Sequence, residues 1–307
     1  MINTPDTELT LTCGDWHLTA APYGASLRGL SHGGRPVITA YTGGDTKVGG
    51  EGDVLIPFPG RVAGGSYSFA GMAYQMDKND KEGPNAIHGF LRHTLWDIAA
   101  QAADSVTFTA TLAADAHPGY PFALSVSLTY ALSETGLATE FEIENTGDRP
   151  APVAAGFHPY FTVGSALIDG DTLGVPFASC LEFDDALIPT GKVLPVDGTR
   201  FDFRQPRVLG DTVLNVCYLH PIRDPDGLLR IRLSNSTAQT ALTVWMDTAF
   251  DYIVLYSGDP LPESHRRKSL AIEPMTCGAD AFNHAEWGLT TLVPGETLVG
   301  RWGVGAG

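Results

Sequence analysis

The chain has 307 residues, of which 43% are hydrophobic and 18% are charged, as expected for a globular protein that buries a large core. Nineteen basic against 35 acidic side chains give a formal net charge of −16. Such a charge repels nucleic-acid phosphates and anionic lipids, so neither nucleic acid nor a membrane surface is an expected partner. A small neutral or cationic molecule is the more compatible ligand.

Neither the cysteines nor the hydropathy indicates an oxidising or membrane environment. The four cysteines are scattered without CxxC spacing, which predicts neither a zinc site nor a disulfide framework: Cys13, Cys180, Cys217 and Cys277. No uninterrupted apolar stretch approaches the length of a membrane span. We therefore expect a cytoplasmic, reduced protein.

Strand-like alternation of apolar and polar residues recurs along the chain. It is clearest in residues 106–112, 124–130, 137–143, 229–233 and 242–246. Thirty-five glycines and 21 prolines punctuate these segments, and no long stretch has helical periodicity. The pattern predicts an all-β fold, a large antiparallel β-sandwich, formed as one domain over residues 1–307.

Four short segments carry residues capable of chemistry. Arg61 follows a proline-rich turn, and its planar guanidinium suits vicinal hydroxyls or a carboxylate; an ordinary surface arginine is the alternative. His88 precedes Gly89, which permits close approach of backbone or ligand. His158 lies between aromatic residues and titrates near neutral pH, although a buried structural histidine fits the pattern equally well.

Glu273 is the fourth candidate. It follows apolar residues and precedes Pro274. A carboxylate in apolar surroundings has a raised pKa and can act as a base near neutrality, whereas the alternative is a structural ion pair. We expect no metal, because no two ligands have HExxH-like spacing, and neither a GxSxG elbow nor a phosphate-binding loop is present.

The order of these segments and their amino-acid sequences resemble those of the aldose 1-epimerase (galactose mutarotase) family. The resemblance spans nearly the whole chain and is carried by residues 60–61, 85–90, 119–122, 156–161, 198–203, 271–276, 280–283 and 292–296. It implies a supersandwich of unusually large β-sheets and an enzyme without cofactor that interconverts the α and β anomers of free sugars such as galactose or glucose.

The resemblance also implies a role for each candidate. Glu273 would remove the proton from the C1 hydroxyl, and His158 would protonate the ring oxygen. His88 and Arg61 would bind sugar hydroxyls. A sugar-binding aspartate is expected near residues 214–218, where this chain has Asn215, so the charge-assisted bond of a carboxylate is lost there. Asp211 is a second candidate for that position.

Two other functions remain open. A hexose-6-phosphate 1-epimerase would need additional cations, for which Arg92, Arg266 and Arg267 are available. A carbohydrate-binding domain without activity is disfavoured, because both His158 and Glu273 are present. The partner would in each case be a small-molecule sugar, and the protein a monomer or homodimer.

Overall fold

Two large antiparallel sheets dominate the structure, a computed structural model that describes residues 7–41 and 47–307. Its strands are β1 (Leu9–Cys13), β2 (Trp16–Ala21), β3 (Ser26–His32), β4 (Arg35–Ile38), β5 (Val54–Leu55), β6 (Arg61–Val62), β7 (Ser66–Phe69), β8 (Met72–Gln75), β9 (Ala86–Ile87), β10 (Asp97–Gln101), β11 (Ser105–Leu112), β12 (Leu124–Ser133), β13 (Gly136–Asn145), β14 (Ala151–Val153), β15 (Gly156–Phe157), β16 (Tyr160–Phe161), β17 (Thr172–Gly174), β18 (Phe177–Phe183), β19 (Pro189–Pro195), β20 (Arg207–Val208), β21 (Asn215–Pro221), β22 (Leu229–Asn235), β23 (Thr240–Met246), β24 (Tyr252–Tyr256), β25 (Leu270–Met275), β26 (Thr290–Leu292) and β27 (Thr297–Ala306). Four short 3-10 helices complete the described elements: Ala63–Gly65, Leu91–His93, Ile168–Gly170 and Ala285–Trp287.

The larger sheet has twelve strands in the described residues. Its order is β1-β2-β3-β4-β16-β25-β24-β21-β18-β19, and β15 lies beside β25 and β5. The second sheet has nine strands in the order β10-β11-β12-β13-β27-β23-β22-β17-β20. Three further two-stranded sheets are formed by β14–β26, β6–β9 and β7–β8. The predicted all-β fold with large antiparallel sheets is confirmed.

All five segments with clear alternation fall in β11, β12, β13, β22 and β23, which belong to the nine-stranded sheet. Their side chains alternate between buried and more exposed positions, as in β12. The central strands of the twelve-stranded sheet behave differently. Every residue of β25 is buried, so its sequence lacks the period of two.

The main core fills the space between the two sheets. Phe157 of the larger sheet packs there against Phe141 and Trp302 of the smaller sheet and against Phe250. Truncating such a buried aromatic typically costs about 3–5 kcal/mol. Because successive side chains of a strand point to opposite faces, the residue after Phe157 points away from this core. That residue is His158.

Among the described residues, no helix is both long and apolar enough to span a membrane.

Candidate active site

The strand register brings His158 and Glu273 together. Gly156 pairs with Met275, and Tyr160 pairs with Ala271, so His158 lies directly opposite Glu273 on the neighbouring strand. Side chains at opposed positions of an antiparallel pair share one face of the sheet. The imidazole Nε2 lies 3.4 Å from Oε1 of the carboxyl group, and both side chains are buried. Residues 115 positions apart in sequence thus become cross-strand neighbours.

A glycine-rich loop, residues 49–53, covers the imidazole. A side chain at Gly50 would place its Cβ only 2.5 Å from Cδ2 of His158, so only glycine fits. The loop also fixes the histidine backbone: His158 N–H donates to the Asp53 carbonyl at 3.0 Å, and Gly52 N–H donates to the His158 carbonyl at 3.0 Å. On its other side, the imidazole stacks on Tyr160 with the rings 5.1 Å apart. The ring is therefore held in one orientation.

Burial shifts the pKa values of Glu273 and His158 in opposite directions. It raises the pKa of Glu273 well above 4.5, with Arg61 opposing it only in part. It lowers the pKa of His158 from 6.5 to about 3, and the nearby Arg92 and Lys47 cations add to this. Burial thus disfavours the charged form of both groups and favours the proton on the carboxyl group rather than on the imidazole. A neutral acid beside a neutral imidazole is the proton tautomer of a carboxylate beside an imidazolium.

These shifts predict opposite pH effects on stability. Because the Glu273 pKa is raised, the wild type loses stability as pH rises above 4.5, so Glu273→Gln should gain melting temperature relative to wild type between pH 4.5 and 7. Because the His158 pKa is lowered, the wild type loses stability as pH falls below 6.5, so His158→Asn should gain between pH 6.5 and 4.5. Differential scanning fluorimetry measures both, and parallel curves for all three proteins would contradict the burial argument.

His88 is the second histidine of the site. Its ring lies edge-on to that of His158, with the centroids 5.5 Å apart. The Gly60 N–H donates to its Nδ1 at 3.2 Å, so the neutral ring carries its proton on Nε2. Burial, with the neighbouring His158 and Arg92, lowers the pKa of His88 well below 6.5. The ring therefore remains a neutral hydrogen-bond donor.

The backbone at His88 is strained, with a φ of 64°. Non-glycine residues seldom adopt this conformation, and it costs on the order of 1–3 kcal/mol. The following Gly89 also has positive φ, and a Cβ there would lie 2.2 Å from the Ile56 carbonyl oxygen. The packing of this turn against residue 56 thus holds His88 in place.

Arg61, in β6, is fixed by two carboxylates. Its Nε donates to Asp80 at 2.8 Å, and its Nη2 donates to Glu82 at 2.6 Å. Burial would raise the pKa of Asp80, but hydrogen bonds from Arg61, the Glu82 amide and Asn85 outweigh it and lower that pKa. The backbone is tied as well, because Asp280 N–H donates to the Arg61 carbonyl at 3.0 Å. The guanidinium is therefore positioned before any ligand arrives.

Asn215 is on the same face of the sheet as Glu273 but is not its neighbour. Asn215 pairs with Tyr256, and Tyr256 pairs with Ala271, two residues before Glu273. With strands about 4.8 Å apart and about 3.4 Å per residue, the Cα atoms of Asn215 and Glu273 are about 12 Å apart. Asp211, the other candidate, is exposed in the turn before β21.

The three arginines considered for a phosphate are engaged elsewhere. Arg92 is bound to the buried carboxylate of Asp53, which also binds Lys47. Arg267 is paired with Asp169 and Asp259, and Arg266 donates to the Leu261 carbonyl. Two surface clefts of about 490 and 650 Å³ contain none of Arg61, His88, His158, Asn215 and Glu273, and only Arg266 of the three arginines: Pro176, Asp202, Arg204, Gln205 and Ile222 line one, and Leu167, Glu263, Ser264, Arg266 and Lys268 line the other.

The structure adds residues that the sequence did not suggest. Asp80 and Glu82 lie in a charged surface run without any distinguishing pattern. Tyr256 lies in a short apolar strand, where nothing in the sequence separates it from core residues. Only the glycine pair before Glu51 offered a signal, since adjacent glycines indicate close backbone approach. Within residues 7–41 and 47–307, no three His, Cys, Asp or Glu side chains are grouped so as to hold a metal ion.

The chain is similar to known proteins over most of its length. The model of the family described as aldose 1-epimerase matches residues 8–302. The chain is 32% identical to the uncharacterized protein YihR of Escherichia coli over 276 residues, which cover 90% of this chain and 85% of that protein. It is 32% identical to the galactose mutarotase of Sus scrofa over 259 residues, covering 77% and 72%.

Solved structures share the fold at lower identity. An aldose epimerase homologue from C. elegans superposes with a TM-score of 0.87 at 21% identity and 98% coverage of both chains. A galactose 1-epimerase from Lactobacillus acidophilus gives a TM-score of 0.80 at 20% identity, covering 98% of this chain and 94% of the other. The family match over almost the entire chain decides the assignment. The chain belongs to the aldose 1-epimerase family of isomerases.

Proposed function

We propose that this protein interconverts the α and β anomers of a free aldose, such as galactose or glucose, by acid–base opening and closure of the sugar ring. The observation that carries the proposal is the opposed pair Glu273 and His158, with Nε2 and Oε1 3.4 Å apart. The similarity to the galactose mutarotase of Sus scrofa supports the same reaction.

In the proposed reaction, Glu273 as carboxylate takes the proton of the C1 hydroxyl. The electrons of that O–H bond form the C1=O1 carbonyl bond, and the bond between C1 and the ring oxygen breaks. His158 as imidazolium gives its proton to the ring oxygen. The aldehyde then rotates about the C1–C2 bond, and the same transfers in reverse close the ring on the other face.

Before the sugar ring opens, the proton shared by the pair has to be on the imidazole of His158. Burial favours the other arrangement, in which this proton is on Glu273. A transfer over 3.4 Å supplies it without exchange with solvent. Sugar hydroxyls that donate to Glu273 would stabilise the carboxylate and thereby favour this tautomer. His88 would donate its Nε2–H, and Arg61 its remaining N–H groups, to sugar oxygens, which orients C1 and the ring oxygen toward the acid–base pair.

A phosphorylated hexose is the second candidate, and it is disfavoured by charge pairing. Arg92 lies close enough to lower the pKa of both histidines, yet its charge and that of Lys47 are directed at Asp53. Arg267 has two acidic partners of its own. We therefore expect turnover of free sugar to exceed that of glucose 6-phosphate.

We also propose that the protein acts in the cytoplasm as a monomer or homodimer, and that its partner is a sugar rather than nucleic acid or membrane. The net charge of −16 and the free thiols Cys13, Cys180, Cys217 and Cys277 support this. Size-exclusion chromatography with light scattering measures the oligomeric state, and a larger assembly would contradict the proposal.

The purified protein should accelerate the approach of freshly dissolved α-galactose or α-glucose to anomeric equilibrium. Polarimetry follows the reaction, and proton NMR exchange spectroscopy extends it to a panel of sugars including glucose 6-phosphate. Buffer alone catalyses the reaction, so the rate must be proportional to protein concentration. EDTA should leave the rate unchanged; loss of activity with EDTA would instead indicate a metal. A rate equal to buffer alone for every sugar would refute the proposal.

A further inference from the structure

Tyr256 is the side chain that stands between the acid–base pair and Asn215. It pairs with Ala271 on one side and with Asn215 on the other, so its ring shares their face of the sheet. The strand spacing places its Cα about 8 Å from that of Glu273, against about 12 Å for Asn215. A sugar held by Glu273 therefore reaches Tyr256 before it reaches Asn215.

Tyr160 and Tyr256 both pair with Ala271, and their rings meet edge-on beside its small side chain, with the centroids 6.4 Å apart. Tyr160 is fully buried, whereas Tyr256 is only half-buried and so presents its ring to the solvent side. An aromatic ring beside a polar cleft suits the apolar C–H face of a sugar.

The Tyr256 hydroxyl is subject to the charges of two candidate site residues, Glu273 and Arg61. Burial raises its pKa to about 12, and the charges of Glu82, Asp259, Glu273 and Arg61 act on it as well. Glu273 lies diagonally opposite Tyr256 on the neighbouring strand, and Arg61 forms an ion pair with Glu82. The phenol is protonated at neutral pH and can donate a hydrogen bond.

We propose that Tyr256 is a substrate-binding residue that determines sugar specificity: its ring forms a wall of the sugar site, and its hydroxyl donates to one particular sugar hydroxyl. The inference rests on the proposed function for the position of the sugar at Glu273. It assigns the discrimination between sugars to Tyr256 rather than to its cross-strand neighbour Asn215. A site built to bond a substrate hydroxyl discriminates strongly against a sugar that lacks it.

The test combines Tyr256→Phe with sugars that each lack one hydroxyl. For glucose, Tyr256→Phe should lower kcat/KM about tenfold, mainly through KM, as expected for one lost hydrogen bond. Among 2-, 3-, 4- and 6-deoxyglucose, one sugar should react equally with wild type and variant, and that sugar identifies the hydroxyl. An equal loss with all four sugars, or no loss with glucose, would overturn the inference.

Tyr252→Phe is the matched control. Tyr252 is on the same strand and face, at the same diagonal from Glu273, but it packs in the apolar cluster of Met275 and Trp287. Its variant should react like wild type with every sugar. Calorimetric titration of the same sugars into Glu273→Gln, with and without Tyr256→Phe, gives Kd independently of turnover. If the wild type lacks activity, the proposed function is wrong. If Glu273→Gln binds no sugar, or if its Kd does not change when Tyr256→Phe is added, the inference about Tyr256 is wrong.

Discussion

Replacing Glu273 by glutamine should lower kcat for anomer interconversion by about 10³-fold and leave KM within a few-fold. General base catalysis contributes about 10²–10⁴-fold, and glutamine keeps the shape of the side chain without accepting the proton. Because the residue is buried and its carboxyl pKa is raised, glutamine should not impair folding. Exchange NMR at saturating sugar measures kcat above the spontaneous rate.

Asp171→Asn provides the control for this loss. Asp171 is a buried carboxyl group with a raised pKa, bound by Asn235 and Ser165 and remote from the acid–base pair. Its variant should retain wild-type kcat at temperatures where it is folded. A Glu273→Gln protein that keeps more than a tenth of the wild-type kcat would exclude Glu273 as the base.

Replacing His158 by asparagine should lower kcat by about 10²-fold or more. The ring oxygen then lacks a positioned acid, and only water can protonate it. In the proposed reaction the two residues transfer protons in one step. The double variant of His158→Asn and Glu273→Gln should therefore have about the same kcat as the slower of the two single variants. The comparison requires kcat for the wild type, both single variants and the double variant at one pH.

His32→Asn is the control for the second prediction. His32 also stacks on an aromatic ring, that of Trp16, with the centroids 4.3 Å apart, at the far end of the larger sheet. Its replacement should not change kcat. Fully additive losses in the double variant would show that the two groups act in separate steps and would contradict the proposed concerted mechanism.

The all-β fold could be predicted because strands of the nine-stranded sheet alternate between apolar and polar residues. Strands such as β12 bury one face and expose the other, and the sequence records this directly. The strand that carries Glu273 is buried on both faces, since the core covers one side and the site the other. Such a strand resembles any apolar run, so neither its partners nor the order of the twelve-stranded sheet follow from the sequence.

The members of the candidate site could be named from the sequence, but their arrangement could not. His158 and Glu273 stand out by their surroundings in sequence, yet their contact depends on the register that sets Gly156 against Met275. Nothing local encodes that register. The groups that orient Arg61 were missed for a related reason, because Asp80 and Glu82 belong to an exposed charged run typical of any surface.

Several of the family-like segments serve the framework. The Asp280 carboxylate accepts from the Ala63 N–H at 3.0 Å and from Asn283 at 2.8 Å, which locks the turn beside Arg61. Phe282 packs against Phe58 at 5.4 Å between ring centroids. These residues thus stabilise the local structure around Arg61. Resemblance in a motif therefore does not identify a group that contacts sugar.

The alternation that separates Phe157 from His158 has a practical consequence for directed evolution. Along the central strands, every second side chain faces the inter-sheet core, and the others lie on the opposite face, which carries both Glu273 and a second apolar cluster. Val254 and Cys217 lie in the same row as Glu273, and both their neighbours on each strand point into the core. A mutant library restricted to these alternate positions changes the surroundings of Glu273 while the residues that hold the two sheets together keep their identity.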